Sequence, residues 1–279
     1  MKELARAKIN LTLDILGTRA DGYHEVSMIM QTIELADELE LRKISGGVKL
    51  SMTGGENIPV DEKNLAWQAA IEFQKFCGQN LGVEINLIKK IPTAAGLAGG
   101  SADAAAVIRG MNKLYEINLS EENLCEIGAA VGSDVPFCIV GGTCLAEGRG
   151  EILTRLSPLK NFSVVLAKPQ GEISTAWAYK TYDENPAKVH PPNKKIIAQL
   201  ERRDYDAAFK NFSNVLEGVA VKKIPAIAAL KSKMLAAGAK VALMSGSGAT
   251  VFALTDEAHV EKISASVDDS AQVFITKFF

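Results

Sequence analysis

The residues with the clearest chemical potential lie between 92 and 104, where the chain reads Pro-Thr-Ala-Ala-Gly-Leu-Ala-Gly-Gly-Ser-Ala-Asp-Ala. This run follows strand-like text, Val83 to Ile91, and precedes helix-like text, Ala102 to Leu114, with Ser101 standing where an N-cap belongs. Glycines at 96, 99 and 100 let successive backbone N–H groups converge with no Cβ in the way, and a helix start adds free donors and about half a positive charge. Such a nest suits a polyphosphate. The competing reading is a tight turn whose glycines serve packing alone. No Gly-Lys-Ser/Thr occurs and the spacing is not G-x-G-x-x-G, so neither of the two common nucleotide-binding fingerprints is present.

A second group of polar residues sits near the start. From Ala5 to Ile15 every odd position is apolar, and the even ones are Arg6, Lys8, Asn10, Thr12 and Asp14. Period 2 predicts a half-buried strand that presents Lys8, Asn10 and Thr12 together on the face opposite the core. After the break at Ala20-Asp21-Gly22, Tyr23 and His24 offer a ring and an imidazole side by side. Asp134 stands in Gly-Ser-Asp-Val-Pro; taken alone it reads as a turn or helix-end aspartate. Ser245-Gly246-Ser247-Gly248-Ala249-Thr250 reads as a hairpin turn. His190 and His259 have no ligand spacing and receive no role.

The elements that must position these groups are β-rich at first. Strand-like text covers Val26 to Leu41 and Val48 to Met52; a helix with Gly78 at its end spans Asn64 to Gly78; a further helix runs from Ser120 to Val131, and an apolar strand from Phe137 to Leu145. A strand follows at Ser163 to Ala167 and an exposed loop between Asp183 and Asn193. The last stretch reads helix (Pro225–Ala237), strand (Lys240–Met244), strand (Thr250–Leu254), helix (Glu257–Val267) and strand (Gln272–Thr276). That order predicts an α+β chain.

With 279 residues, 47% hydrophobic and 23% charged, the chain has the apolar content of a globular protein of two domains or one large one. Its net charge of −2 lacks the basic excess that nucleic-acid polymers reward. Cys77, Cys125, Cys138 and Cys144 fit no zinc or redox spacing, which favours reduced thiols and a cytoplasmic setting. Neither a signal peptide nor a run of about 18 uncharged apolar residues is expected to place it at a membrane.

Three separated segments together resemble one family. Pro92-x-x-Ala95-Gly96-Leu97-x-Gly99-Gly100-Ser101 is similar to the phosphate motif of the GHMP kinases, Met244 to Ala249 to their C-terminal glycine motif, and Lys8-Ile9-Asn10-Leu11 to their first-strand motif. The resemblance implies a two-lobed α+β fold, with a ribosomal-protein-S5-like lobe over 1–153 and a ferredoxin-like lobe over 154–279. It implies an ATP-dependent kinase acting on an alcohol, with ATP and Mg²⁺ as cofactors. ATP would lie along Pro92, Thr93, Ala94, Ala95, Gly96, Leu97, Ala98, Gly99, Gly100, Ser101 and Ala102. Asp134 would be the general base and Lys8 the cation that keeps it ionised. Asp21 to Glu25 and Gly132 to Phe137 resemble the branch whose alcohol carries a cytidine diphosphate. Asn10, Tyr23, His24, Tyr179, Ser247 and Gly248 would then bind that substrate, Tyr23 and Tyr179 by stacking on the base. The metal ligands stay unassigned, Ser101 being one candidate. No nucleic acid, membrane or obligatory protein partner is implied. Ala98 departs from the glycine many members carry, which would strain the loop if that residue needs a positive φ. Two alternatives remain: a family member for homoserine or mevalonate, or a catalytically silent nucleotide binder.

Overall fold

The computed structural model describes residues 1–55, 58–159 and 162–279. The chain opens with β1 (Lys2–Thr18), β2 (His24–Lys43) and β3 (Val48–Thr53), then passes through α1 (Leu65–Cys77), β4 (Val83–Ile88), α2 (Gly99–Leu114), α3 (Glu121–Val131), α4 (Val135–Val140), β5 (Thr143–Glu147) and β6 (Ile152–Arg155). The rest comprises β7 (Ser163–Pro169), α5 (Thr175–Glu184), α6 (Asn193–Glu201), α7 (Tyr205–Phe209), α8 (Glu217–Lys223), α9 (Ala226–Ala236), β8 (Val241–Met244), β9 (Val251–Thr255), α10 (Val260–Ala265) and β10 (Ala271–Lys277). The expected α+β class is borne out. Two compact units interleave along the sequence. One holds Met1–Ala7, Leu35–Thr93 and Ala98–Gly141, and the other holds Lys8–Glu34, Ala94–Leu97 and Gly142–Phe279.

In the first unit β3 runs parallel to β4, and β4 pairs antiparallel with the C-terminal part of β2, Glu38 opposite Ile88. Helices α1 to α4 pack on one another. The Asn64 side chain caps α1 at Ala66 N, 2.9 Å, and Gly78 closes it at φ 63°. Ala66, Ala69, Ala70 and Phe73 form its buried face; complete burial of Phe73 contributes roughly 1.5 to 3 kcal/mol. Alanines 102, 104, 105 and 106 of α2 are likewise buried, and such small side chains let helices approach closely.

In the second unit an antiparallel sheet has the order β10-β7-β9-β8, with Leu166 opposite Phe252 and Phe252 opposite Leu243. Strands β7 and β9 inside it and β8 at its edge are almost wholly buried, which explains why they read as apolar runs rather than alternation. Helices α9 and α10 pack against it. The N-terminal part of β2 pairs with β5, and β5 with β6.

Three sequence expectations are corrected. Residues 137–140, the front of the expected strand Phe137–Leu145, belong to α4: Pro136 lies in its first turn, Gly141 ends it at φ 66°, and β5 starts only at Thr143. An apolar run of this length has no period that separates strand from buried helix, and the proline start and glycine stop decide it. Helix α2 begins at Gly99, so Ser101 lies inside its first turn rather than at the cap. Strand β1 is not half-buried; Lys8, Asn10 and Thr12 are 4%, 0% and 0% exposed.

Candidate active site

In the first unit the loop after β4 leads into α2. Ala98 occupies the N-cap at φ 56° and makes no side-chain capping bond. The positive φ that would strain an alanine is therefore present, at about 1 to 2 kcal/mol. The first bond of the helix runs from Ala102 N to Ala98 O, 2.8 Å, so the N–H groups of Gly99, Gly100 and Ser101 have no acceptor within the helix. These donors and the Ser101 hydroxyl form an anion-accepting helix start.

Under this start lies a buried charge cluster that the sequence reading missed. Lys89 Nζ donates to Asp103 at 2.6 Å and to Asp37, and Asp37 also accepts the backbone N–H groups of Lys90 and Ile91. All three side chains are at most 5% exposed. Burial alone would lower the Lys89 ammonium, but Asp103 and Asp37 outweigh it and raise its pKa. Burial pushes Asp103 up to about 8, against the opposing pull of Lys89. A Cβ on Gly99 would meet Ile91 Cγ2 at 3.2 Å and Lys89 Nζ at 3.4 Å, so Gly99 is also where the helix start rests on this cluster.

Asp134, in the same unit, stands at the N-cap of α4 and is half-buried. An aspartate there normally accepts an N–H of the first turn, but this one makes no capping bond.

In the second unit the polar row of β1 is tied inward. Lys8 Nζ donates to Asn10 Oδ1 at 2.6 Å, and Asn10 Nδ2 points at Met28 Sδ, 3.3 Å. Thr12 Oγ1 donates to Asn193 Oδ1, 2.7 Å, and Asp14 pairs with His190 Nδ1, 2.6 Å. The Asn10 backbone N–H donates to Ser245 Oγ, and Ser245 Oγ donates to Gly96 O, 2.9 Å. Asn214 holds the turn through Met244 O and Gly246 O. Residues 94–97 pack against this turn so closely that a Cβ on Gly96 would lie 2.1 Å from Ser245 O. Gly96 is thus required for packing, whatever it does for phosphate. Ser247 Oγ lies 3.1 Å from Thr175 Oγ1, and the Gly248–Ala249 peptide is cis. Asn214 and Asn193 carried no sequence signal, because their partners are far away in the chain.

Tyr23, His24 and Tyr179 also gather in this unit. Arg19 N donates to Tyr23 O, and Asp21 accepts the Tyr23 N–H; that N–H, helped by Arg19, holds the Asp21 carboxyl below its usual range. The Tyr23 ring is 53% exposed, with the Arg149 guanidinium 5.0 Å from its centre. The His24 ring sits 4.8 Å from the Tyr179 ring, tilted by 43°. Its Nε2 lies 2.8 Å from Asp183 Oδ1. A cavity of about 470 Å³ opens beside His24, lined also by Ile15, Thr18, Tyr182, Asp183 and His190.

Among the described residues, no group of three or more His, Cys, Asp or Glu side chains is placed to hold a metal ion, and no helix is long and apolar enough to cross a membrane. The four cysteines form no disulfide.

Comparison with known proteins follows the same layout. Residues 64–142 match the GHMP kinases N terminal domain and residues 196–271 the GHMP kinases C terminal domain. A 4-diphosphocytidyl-2-C-methyl-D-erythritol kinase of Bacillus pumilus is 46% identical over 94% of this chain and 90% of its own length. One of Listeria monocytogenes is 47% identical over 90% of this chain and 86% of its own. The crystal structure of a 4-(cytidine 5'-diphospho)-2C-methyl-D-erythritol kinase superposes with a TM-score of 0.81 at 31% identity, covering 100% of this chain and 99% of that one. A homoserine kinase from Cytophaga hutchinsonii shares the fold, with a TM-score of 0.79 at 21% identity over 100% of this chain and 94% of its own. With both family domains matched and relatives this similar along nine-tenths of its length, the chain belongs to the GHMP kinase family, in its 4-diphosphocytidyl-2-C-methyl-D-erythritol kinase branch.

Proposed function

We propose that the protein transfers the γ-phosphoryl group of ATP to the 2-hydroxyl of 4-(cytidine 5'-diphospho)-2-C-methyl-D-erythritol, giving the 2-phosphate and ADP, a step of the non-mevalonate route to isopentenyl diphosphate. The observation that carries this reading is the near full-length likeness to two kinases named for that substrate.

The acceptor is a tertiary alcohol, a crowded and weak nucleophile, so positioning and charge stabilisation must supply most of the catalysis. The free N–H donors of Gly99, Gly100 and Ser101 are suited to the triphosphate, with Pro92 to Ala102 as its cradle. Asp134, at the N-cap of α4, is the base that orients the hydroxyl and takes its proton as charge shifts. Lys8 supplies positive charge for the transferring group, and its bond to Asn10 fixes where that charge sits while Asn10 meets the substrate. Tyr23 and Tyr179 stack on the cytosine, His24 reads its edge, and Ser247 and Gly248 contact the substrate; stacking is worth roughly 1 to 3 kcal/mol per base. A Mg²⁺ ion bound with ATP would find the Ser101 hydroxyl as a protein oxygen at the helix start and would supply neutralisation of phosphate charge.

ADP release with Mg²⁺-ATP should be measured in parallel against the cytidine-diphosphate alcohol, homoserine, mevalonate and galactose. Turnover of the first alone is the expected result. Turnover of another would keep the kinase but overturn the substrate, and turnover of none would leave a silent binder.

A further inference from the structure

His24 is the only side chain in the proposed base-reading cluster with two hydrogen-bonding ring nitrogens, and its surroundings treat the two differently. Nε2 lies 2.8 Å from Asp183 Oδ1, whereas Nδ1 has no hydrogen-bond partner among the described residues. A carboxylate can only accept, so the proton between them belongs to Nε2. A ring with one proton therefore has its lone pair on Nδ1. Tyr179 packs on the same ring, and the exposed Tyr23 precedes it in the chain, so a base stacked between or against these aromatics has its edge beside His24. The two pyrimidines present opposite edges at position 4: cytosine carries an amino donor and uracil a carbonyl acceptor. An imidazole nitrogen locked as an acceptor matches the first and repels the second.

We propose that Asp183 is a specificity-determining positioning residue. By fixing the proton of His24 on Nε2, it makes Nδ1 an acceptor and selects a cytosine over a uracil nucleotide. This rests on the reading of Tyr23, His24 and Tyr179 as the base site. Asp183 sits 159 residues from His24, on the last turn of α5, and acts through the His24 ring. The selection arises because the wrong base leaves two acceptors facing each other, and a site built around one hydrogen-bond pattern discriminates strongly against its opposite.

The test uses the full-length protein, its Asp183→Asn and Asp183→Glu variants, and two substrates that differ only in the base, cytosine or uracil. Asp183→Asn replaces a group that can only accept by an amide that can also donate to Nε2, which releases the ring proton to Nδ1; Asp183→Glu retains a carboxylate. Asp183 is exposed enough for both substitutions to fold, its side chain being 46% exposed. The ratio of kcat/KM values for the two substrates should fall about tenfold or more in Asp183→Asn, by loss of one matched hydrogen bond and creation of a mismatched one, and should recover in Asp183→Glu. The ¹⁵N resonances of His24 should report the Nε2–H form in the parent and the Nδ1–H form in Asp183→Asn. A merely structural role for Asp183 would lower turnover of both substrates alike and leave the tautomer unchanged. A parent that prefers cytosine together with an Asp183→Asn variant that prefers it equally would overturn this inference and leave the proposed function standing. A parent that uses both bases equally would overturn this inference alone, since the cytidine substrate is still turned over, and a parent that uses neither would overturn both.

Discussion

Replacing Gly96 by alanine tests how the phosphate loop is held. The new Cβ would lie 2.1 Å from Ser245 O, where real contacts stay beyond 3 Å, so backbone must shift by close to an ångström. Gly96 also has φ 73°, which costs an alanine about 1 to 2 kcal/mol. The shift would loosen the Ser245 bond to Gly96 O and the Asn10 bond to Ser245, each worth about 1 kcal/mol. Together these give a loss of roughly 3 to 5 kcal/mol, or a fall in Tm on the order of 10 °C for a chain of this size. Scanning calorimetry of Gly96→Ala beside Gly218→Ala, where a Cβ meets nothing within 4 Å, measures it. The Gly218 variant, within α8, should melt at or slightly above the parent. A Gly96 variant melting within about 2 °C of the parent would show that the turn and the loop are not held together as described.

Asp134→Asn should abolish turnover with substrate binding largely kept, and Lys8→Ala should depress it likewise; near-native steady-state rates would remove either residue from its role. Tyr23→Ala should weaken binding of the cytidine substrate more than that of ATP, and equal losses in titration calorimetry would count against stacking. Ala98→Gly relieves the left-handed strain at the N-cap and should raise stability by about 0.5 to 1 kcal/mol in urea unfolding, the gain in φ freedom exceeding glycine's entropy cost; a loss would mean the alanine is at ease there. Asp103 has a folded pKa of about 8 against an ordinary 3.8, so its contribution to stability is complete below 3.8 and is lost as pH climbs to about 8. Asp103→Asn should therefore flatten the stability profile across that window and exceed the parent at pH 9, and an unchanged slope would place the titration elsewhere.

Elements with local punctuation were legible: α1 between Asn64 and Gly78, and the β8–β9 hairpin around its glycine turn, both lie where the residues put them. Alternation also found the row of Lys8, Asn10 and Thr12, but not its burial. The groups covering that row, Ser245 and Asn193, lie 235 and 181 residues away, and no window along the chain can see them. Helix α4 was missed because six apolar residues carry no distinguishing period, and Ser101 was misplaced because Ala98 caps α2 in a conformation that glycine, not alanine, advertises. Asp183 and the Asp37–Lys89–Asp103 cluster were invisible for the same reason as the cover on β1: an ion pair between distant positions has no sequence period.

That cluster also constrains how the sequence can drift. Changing Lys89 alone strands a buried carboxylate, at about 3 to 5 kcal/mol, and changing Asp37 alone strips the acceptor from two backbone N–H groups. Asp103 differs, because a residue that already favours its protonated form below about pH 8 is closely mimicked by an amide. Neutral substitution can therefore enter at 103 first, after which 89 and 37 must change as a pair. A library that varies the three positions one at a time will recover the parent residue at 37 and 89, whereas one that varies them jointly will find charge-free solutions.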